Sequence, residues 1–299
     1  MNAKRYALIT SARNEEKYIK DTIESVISQT IHPSRWIIAS DNSSDRTDEI
    51  VKIFSETYRF IHLLVLGGYR KRDFASKAYC LNKALETLGA KQYSFIGILD
   101  ADIVLPSDYY EKIFDEFELN GELGIAGGLV EEMRRGKRVA QRISLDSVAG
   151  AVQVYRRSCF EDCGSFMPLH LGGEDALMEK KAKMNGWKVK TFQEIRVFHA
   201  GNHDCRNNRI VSSNVRQGMM FYELGYHPLF FFLRSIYKLF ENPFLYGSLF
   251  QLAGFSILAL RKKRIPIPPL LRDYIRREQM ERLKNMFFIT KLMRKMKRK

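Results

Sequence analysis

Between Tyr6 and Leu99 the chain alternates four times between a short apolar run and a segment that leads into a helix. Tyr6–Thr10 reads as a first buried strand, and Lys17–Thr30 as a helix with Tyr18, Ile19, Ile23, Val26 and Ile27 on one face. Arg35–Ser40 is a second strand, and the helix after it reaches about Thr57, with Asp45 or Thr47 able to cap it. Ile61–Leu66, a helix over Ser76–Leu88 and the strand Tyr93–Leu99 complete the series, and Pro106 opens a further helical pattern. This alternation predicts an α/β fold whose sheet is mostly parallel and covered by helices on both faces.

Three of these strands run into polar clusters at their carboxyl ends: Arg13-Asn14-Glu15, Asp41 to Asp45, and Asp100-Ala101-Asp102. Ligands gather at that edge of an α/β sheet. Two aspartates one residue apart offer the hard oxygens that Mg²⁺ or Mn²⁺ needs while holding a diphosphate. A lone Asp-x-Asp is also what a solvated turn contains, but one site can collect all three clusters at the strand ends.

The pattern is looser afterwards. Gly124–Val130 and Gly150–Tyr155 read as strands, and Arg156–Cys163 as a short helix. Gly172-Gly173-Glu174-Asp175 opens a helix reaching about Asn185, and its two acids suit either the helix dipole or chemistry. Val189–Phe192 and Glu194–Phe198 read as closing strands, the second delivering His199, which is either structural or a ligand.

At 299 residues the chain has room for one large domain, 1–222, and an appendage, 223–299. From Arg261 to Lys299 there are fifteen Lys/Arg against three Asp/Glu, a local +12 of the total +15. Such a tail suits an anionic surface, either nucleic acid or the cytoplasmic leaflet of a membrane. The four cysteines form no disulfide framework and no secretory signal precedes Tyr6, so a reducing cytoplasm is expected. Cys159-x₃-Cys163 has half the ligands of a zinc site, without a second pair at convincing spacing.

The ordered set Ala12-Arg13-Asn14-Glu15-Glu16, Asp41-x-x-x-Asp45, Asp100-Ala101-Asp102 and Gly173-Glu174-Asp175 resembles the family 2 glycosyltransferases, enzymes of the GT-A fold that move sugar from a nucleotide sugar. Gly225-Tyr226-His227-Pro228 and Arg277-Glu278-Gln279 look like the membrane-associated members that build cell-surface polysaccharide or glycolipid. The resemblance implies Arg13, Asn14, Glu15 and Asp41 at the nucleoside end of the donor. It implies Lys77, in a Ser-Lys-Ala turn set by Asn82, at the phosphates, with Asp100 near ribose or metal. Asp102 and His199 would hold a divalent cation, Mn²⁺ or Mg²⁺. Asp175, with Glu174 beside it, would be the general base of an inverting transfer. Arg206, Arg209 and Arg216 would meet an acceptor phosphate, or would be solvated surface. Asn42 and Ser43 depart from the family's usual Asp and Gly. The Gln-x-x-Arg-Trp of processive relatives is absent, which favours one sugar per encounter.

The implied partners are a nucleotide-sugar donor, UDP-sugar first, a saccharide or lipid-linked acceptor, and an anionic membrane surface, with no specific nucleic acid. Pro243–Leu260 is free of charge over eighteen residues, about 27 Å of helix against a hydrocarbon core of about 30 Å. A single span would leave the catalytic domain and the Arg261–Arg264 cluster on opposite sides. Amphipathic or re-entrant helices in the inner leaflet are therefore expected, with a soluble helical subdomain the other reading. A sugar-phosphate nucleotidyltransferase would carry a Gly-rich basic loop after the first strand, and Ser11–Glu15 is not one. A nucleic-acid-binding protein would leave the acidic clusters unexplained.

Overall fold

The structure is a computed structural model and describes residues 4–67, 74–89, 93–134, 136–201, 210–240 and 245–296. Contacts divide the chain into two compact units, Met1–His170 with Glu174–Asp204, and Leu171–Gly173 with Cys205–Lys299.

The first unit opens with β1 (Tyr6–Ala12), α1 (Ile19–Ile27), β2 (Arg35–Ser40), α2 (Thr47–Thr57), β3 (Ile61–Val65), α3 (Ala75–Leu88) and β4 (Phe95–Ile98). It continues with β5 (Ile103–Val104), α4 (Tyr109–Leu119), β6 (Leu123–Arg134), β7 (Lys137–Ala140), β8 (Val154–Arg156), α5 (Arg157–Cys163), α6 (Glu174–Met184) and β9 (Lys188–His199). One sheet runs β3-β2-β1-β4-β8-β6-β9-β5, with β7 paired to β6. The first four strands are parallel, as their βα alternation requires. Beyond β4 the pairing is antiparallel except between β6 and β9. The sheet is therefore mixed, with its parallel half built from the part of the sequence with the clearest alternation.

Two apolar clusters lie against the sheet. One joins Tyr6, Leu8, Trp36 and Ile38 to Ile23 and Val26 of α1 and to Tyr110, Ile113 and Phe114 of α4. The other joins Ala7, Ile9, Ile37 and Ile96 to Leu81 and Ala84 of α3 and to Met178 and Ala182 of α6. Successive strand residues feed opposite clusters, so the central strands are buried throughout and read as unbroken apolar runs.

Several expected boundaries move. The first helix is shorter than Lys17–Thr30 because the Glu15 carbonyl accepts from the Tyr18 and Ile19 amides in a turn that delays its start. The strand expected over Gly150–Tyr155 is a loop as far as Gln153, turned by a Val152 amide to Ala149 carbonyl bond, and only Val154–Arg156 joins the ladder. The two closing strands are one, β9, whose register jumps where Gly128 faces Phe192 and Leu129 faces Arg196.

The second unit contains α7 (Ile210–Glu223), α8 (Pro228–Phe240), α9 (Leu245–Leu260) and α10 (Pro269–Met296). The expected boundary at 222–223 falls in the last turn of α7, a helix that packs on α9. There the backbones nearly touch: a Cβ on Gly218 would stand 1.8 Å from the Gln251 carbonyl oxygen, and one on Gly254 2.0 Å from that of Val215. Only glycine permits that crossing. Phe221, Phe231 and Phe255 form the core beside it, the last two stacked at 4.5 Å. Within the basic tail Pro269–Met296 is helical: Pro269 starts α10, and Leu271, Ile275, Gln279 and Leu283 bury one stripe at four-residue spacing. Among the described residues, no helix is long and apolar enough to cross a membrane.

Candidate active site

Adjacent parallel strands β2, β1 and β4 bring their carboxyl ends side by side, and side-chain bonds knit the loops that follow. Arg13 donates to Asp41 Oδ2 at 3.0 Å. Asn14 takes a positive φ of 58°, which its short polar side chain tolerates, and its Oδ1 accepts from the Ser44 amide at 2.8 Å. The Glu15 amide donates to Thr47 Oγ1 and the Glu16 amide to Asp45 Oδ2. Asp45 Oδ1 also accepts from the Thr47 amide, but the residue at the N-cap of α2 is Arg46, not the expected Asp45 or Thr47. The Arg13–Glu15 and Asp41–Asp45 clusters thus form one polar ledge in which Asn14 and the Glu15 backbone brace the β2–α2 loop.

The turn Asp100-Ala101-Asp102 is held from three sides. Thr22 of α1 donates to the Ala101 carbonyl at 2.8 Å, the Asp100 amide donates to Ala151, and the Ala200 amide donates to the Asp102 carbonyl. Lys77 meets Asp100 Oδ1 at 2.6 Å, both side chains about a third exposed. Lys77 stands in the first turn of α3 rather than in a turn of its own, because α3 already begins at Ala75. Burial pulls the Lys77 ammonium down, but Asp100, Glu174 and Asp175 outweigh it and leave the group firmly charged. Asn82 lies farther along α3 and does not set the Lys77 turn. Its side chain makes a reciprocal pair with the Phe166 backbone, 84 residues away, and so anchors the loop before α6.

Asp102 and His199 come together across the β5–β9 pair: Nε2 lies 2.8 Å from Asp102 Oδ2, and Nδ1 lies 3.9 Å from Glu132 Oε1. Burial opposes charge on the imidazole, yet Asp102, Asp100 and Glu132 together raise its pKa. Among the described residues no group of three His, Cys, Asp or Glu forms a closed metal site. One carboxylate with one imidazole nonetheless suits Mn²⁺ or Mg²⁺ held open to substrate phosphate. The Gly201 backbone packs directly against the pair, since a Cβ there would stand 2.2 Å from Asp102 Oδ2 and 3.2 Å from His199 Nε2, so a side chain at this position would displace the carboxylate. The residues present fit such a cation.

Glu174 and Asp175 open α6 after Gly172 and Gly173, whose φ values of 89° and 96° make the entry turn a glycine position. Glu174 is buried, which pushes its carboxyl up, and the neighbouring Asp175 adds to this against Lys77. Asp175 is partly exposed and accepts from the Ala176 amide at 2.7 Å. Lys77, Asp100, Glu174 and Asp175 therefore form one electrostatic group drawn from α3, the turn after β4 and α6. Arg216 lies on α7 in the second unit and donates to the Leu171 carbonyl. Arg206 and Arg209 lie outside the described residues.

Sequence reasoning missed Gly150, whose Cβ would stand 2.1 Å from Asp175 Oδ2, and Glu179, buried one turn after Asp175. The four-residue spacing of Asp175 and Glu179 on one helix was the available signal. Nothing local marks Gly150, since its neighbour is remote in sequence. Cys159 and Cys163 are buried against the second apolar cluster, and Cys163 packs on the Met178 carbonyl.

Known proteins resemble this chain in sequence and in fold. Poly-beta-1,6-N-acetyl-D-glucosamine synthase of Staphylococcus epidermidis is 23% identical over 207 residues, 62% of this chain and 47% of that protein. The synthase of Staphylococcus aureus strain COL is 22% identical over 198 residues, 59% and 45% of the two chains. The chain thus spans about half the length of the curated relatives it matches. The mannosyltransferase PcManGT from Pyrobaculum calidifontis, solved with GDP-Man and Mn²⁺, superposes with a TM-score of 0.56 at 15% identity, over 86% of this chain and 75% of that one. TarS of S. aureus, solved with UDP-GlcNAc, gives 0.53 at 15% identity, over 91% and 78%. The fold is that of the GT-A glycosyltransferases. The sequence profile of glycosyl transferase family 2 matches residues 7–169, more than half of the chain, which therefore belongs to that family.

Proposed function

We propose that this protein transfers one sugar per encounter from a nucleotide-sugar donor, with a UDP-sugar the first choice, to a hydroxyl of a saccharide or lipid-linked acceptor in cell-surface polysaccharide or glycolipid synthesis. The observation that carries this reading is the group formed by Lys77, Asp100, Glu174 and Asp175 at the carboxyl edge of the sheet, next to Asp102 and His199. The nucleotide sugar bound to TarS and the polysaccharide in the names of the staphylococcal relatives support the substrate classes.

In this reading the nucleoside rests on the Arg13–Asp41 ledge, near Asn14 and Glu15. Lys77 turns its charge toward the diphosphate, where negative charge grows as the anomeric bond breaks. Asp102 and His199 would hold a divalent cation, which would supply positive charge to neutralise the diphosphate. Asp175 takes the proton of the acceptor hydroxyl as that oxygen attacks the anomeric carbon from the face opposite the leaving group, which inverts the centre. Buried Glu174 acts as an electrostatic neighbour of both Asp175 and Lys77 rather than as a second base.

The second unit serves peripheral attachment to the cytoplasmic face of an anionic membrane. From Cys205 to Lys299 the sequence holds twenty Lys/Arg against five Asp/Glu, so this unit carries the whole net charge of +15. On α8, Leu229, Phe232 and Tyr237 are exposed at helical spacing, while Phe231 and Ser235 face inward. Polybasic charge with an exposed apolar helix face is the composition of an interfacial anchor.

Isothermal titration with UDP and GDP, with and without Mn²⁺, on the wild type and on Asp102→Ala tests the donor site. Metal-dependent binding of one nucleotide, lost in the variant, is the expected result. A folded wild type that binds neither nucleotide under any metal condition would sink the UDP/GDP assignment.

A further inference from the structure

The loop from Ser147 to Gln153 touches two acids of the transfer site, Asp175 and Asp100. At Gly150 it lies so close to the Asp175 carboxylate that a Cβ there would stand 2.1 Å from Oδ2. At Ala151 its carbonyl accepts from the Asp100 amide at 2.9 Å, and at Gln153 its carbonyl accepts from the Ile98 amide at 2.7 Å. The loop is therefore the piece of backbone that relates the tip of β4 to the first turn of α6. It has no ladder of its own to hold it, since β8 begins only at Val154.

What holds it is a buried carboxylate. Glu179 is 5% exposed and stands one helical turn after Asp175, on the same face of α6. Its Oε1 accepts from the Val148 amide at 2.7 Å and from Gln153 Nε2 at 3.3 Å, and its Oε2 accepts from the Ser147 hydroxyl at 2.7 Å. Gln153 Nε2 also donates to the Val148 carbonyl, and the Tyr155 hydroxyl donates to Gln153 Oε1. The far side of the loop is tied to β9, where the Thr191 hydroxyl donates to the Ser147 carbonyl and its amide to Leu145.

We propose that Glu179 is a positioning residue for the transfer: by gathering the donors of Ser147, Val148 and Gln153, it sets the loop that fixes Asp175 against Asp100. The proposal rests on the glycosyltransferase reading of Asp175 and Asp100. Its structural half, the link from Glu179 to the loop and to the β4 tip, stands apart from that reading. A carboxylate is suited to the task because one side chain offers lone pairs to a backbone amide and a hydroxyl at once, and a buried network with every member satisfied defines a single arrangement. An apolar side chain of the same length would fill the space and leave the Val148 amide unpaired.

Two variants separate the possibilities. Glu179→Gln keeps an acceptor for Val148 and a donor for Ser147, whereas Glu179→Met keeps only the volume. Hydrogen exchange followed by mass spectrometry reads peptides covering 144–153 and 98–102, with β1 and β2 as the internal control. UDP release from UDP-GlcNAc in Mn²⁺, at saturating and limiting donor, reads kcat and KM. In Glu179→Met both test peptides are expected to exchange about tenfold faster, with the control unchanged. Its kcat is expected to fall about tenfold or more, while the Kd for UDP stays within about twofold. Glu179→Gln should restore both readouts most of the way.

Unchanged exchange in the two peptides would overturn the proposal, and so would faster exchange with unaltered kcat. If Glu179→Met does not fold, Ser147→Ala, which removes one donor and keeps the carboxylate, should give a smaller change of the same sign in both readouts; no change in either would be equally fatal. A wild type that releases no UDP from any nucleotide sugar would count against the function, and the exchange arm would still decide the link from Glu179 to the loop.

Discussion

Replacing Glu179 by Gln should change how stability depends on pH, and the structure sets the size of the effect. Burial pushes the Glu179 carboxyl up to about 7 from an ordinary 4.5. The Val148 amide, the Ser147 hydroxyl and Lys183 favour the anion, while Asp175 on the same helix face opposes it, and burial prevails. Tyr155 also faces the carboxylate, but stays neutral because its own pKa is raised well above 10.0. Below pH 4.5 the carboxyl is neutral in both folded and unfolded chains, so it exacts no cost. Between 4.5 and about 7 the unfolded chain releases its proton first, and the folded state loses stability as pH rises. Above about 7 the loss is complete and level. At 1.36 kcal/mol for each pH unit, that interval amounts to about 3 kcal/mol.

The Gln variant carries no such titration. The stability of the wild type minus that of the variant should therefore fall by about 3 kcal/mol between pH 4 and pH 8. Urea unfolding followed by tryptophan fluorescence suits the measurement, because the two tryptophans, Trp36 and Trp187, both lie in the first unit. Trp36 is fully buried and donates to Thr10 Oγ1, so its emission reports the loss of the sheet. A difference that stays constant to within about 0.5 kcal/mol across this range would refute the reasoning, since no buried, proton-holding carboxyl would then exist at position 179.

Lys77→Met should leave the fold intact and lower kcat for donor turnover by about a hundredfold or more, because it removes the charge that faces the leaving diphosphate. Steady-state kinetics with UDP-GlcNAc, beside circular dichroism, checks this; near-normal kcat would move the phosphates away from Lys77. The exposed face of α8 should bring the protein up with anionic liposomes in a flotation gradient, and Phe232→Glu with Leu229→Glu should abolish this without altering UDP affinity. Flotation that survives both substitutions and vanishes with salt would assign attachment to the basic residues alone.

The parts of this protein legible in its sequence are those whose cause is local. A strand buried on both faces must be apolar at nearly every position, so β1, β2 and β4 and the acids at their tips stand out within a few residues of chain. The parallel order of the first strands follows from their intervening helices, and the family resemblance adds roles for Asp102, Asp175 and Lys77. The run Pro243–Leu260 is visible as free of charge, but its use is not: over Leu245–Leu260 Gly218 and Gly254 let α9 close onto α7, and the exposed large apolar residues of α8 carry an outward face.

Tertiary structure alone decided the rest, because each remaining feature depends on a partner far away in sequence. Asn82 faces Phe166 across 84 residues, Thr22 holds Ala101 across 79, and Gly150 must lack a Cβ because Asp175 occupies that space. Glu179 looks like one more acid on a charged helix until the fold lays the 147–153 loop over it and takes it out of water. Composition and periodicity report what a residue does to its own segment. Desolvation and hydrogen-bond satisfaction are set by which segments meet, and in this site they determine how the acids are held.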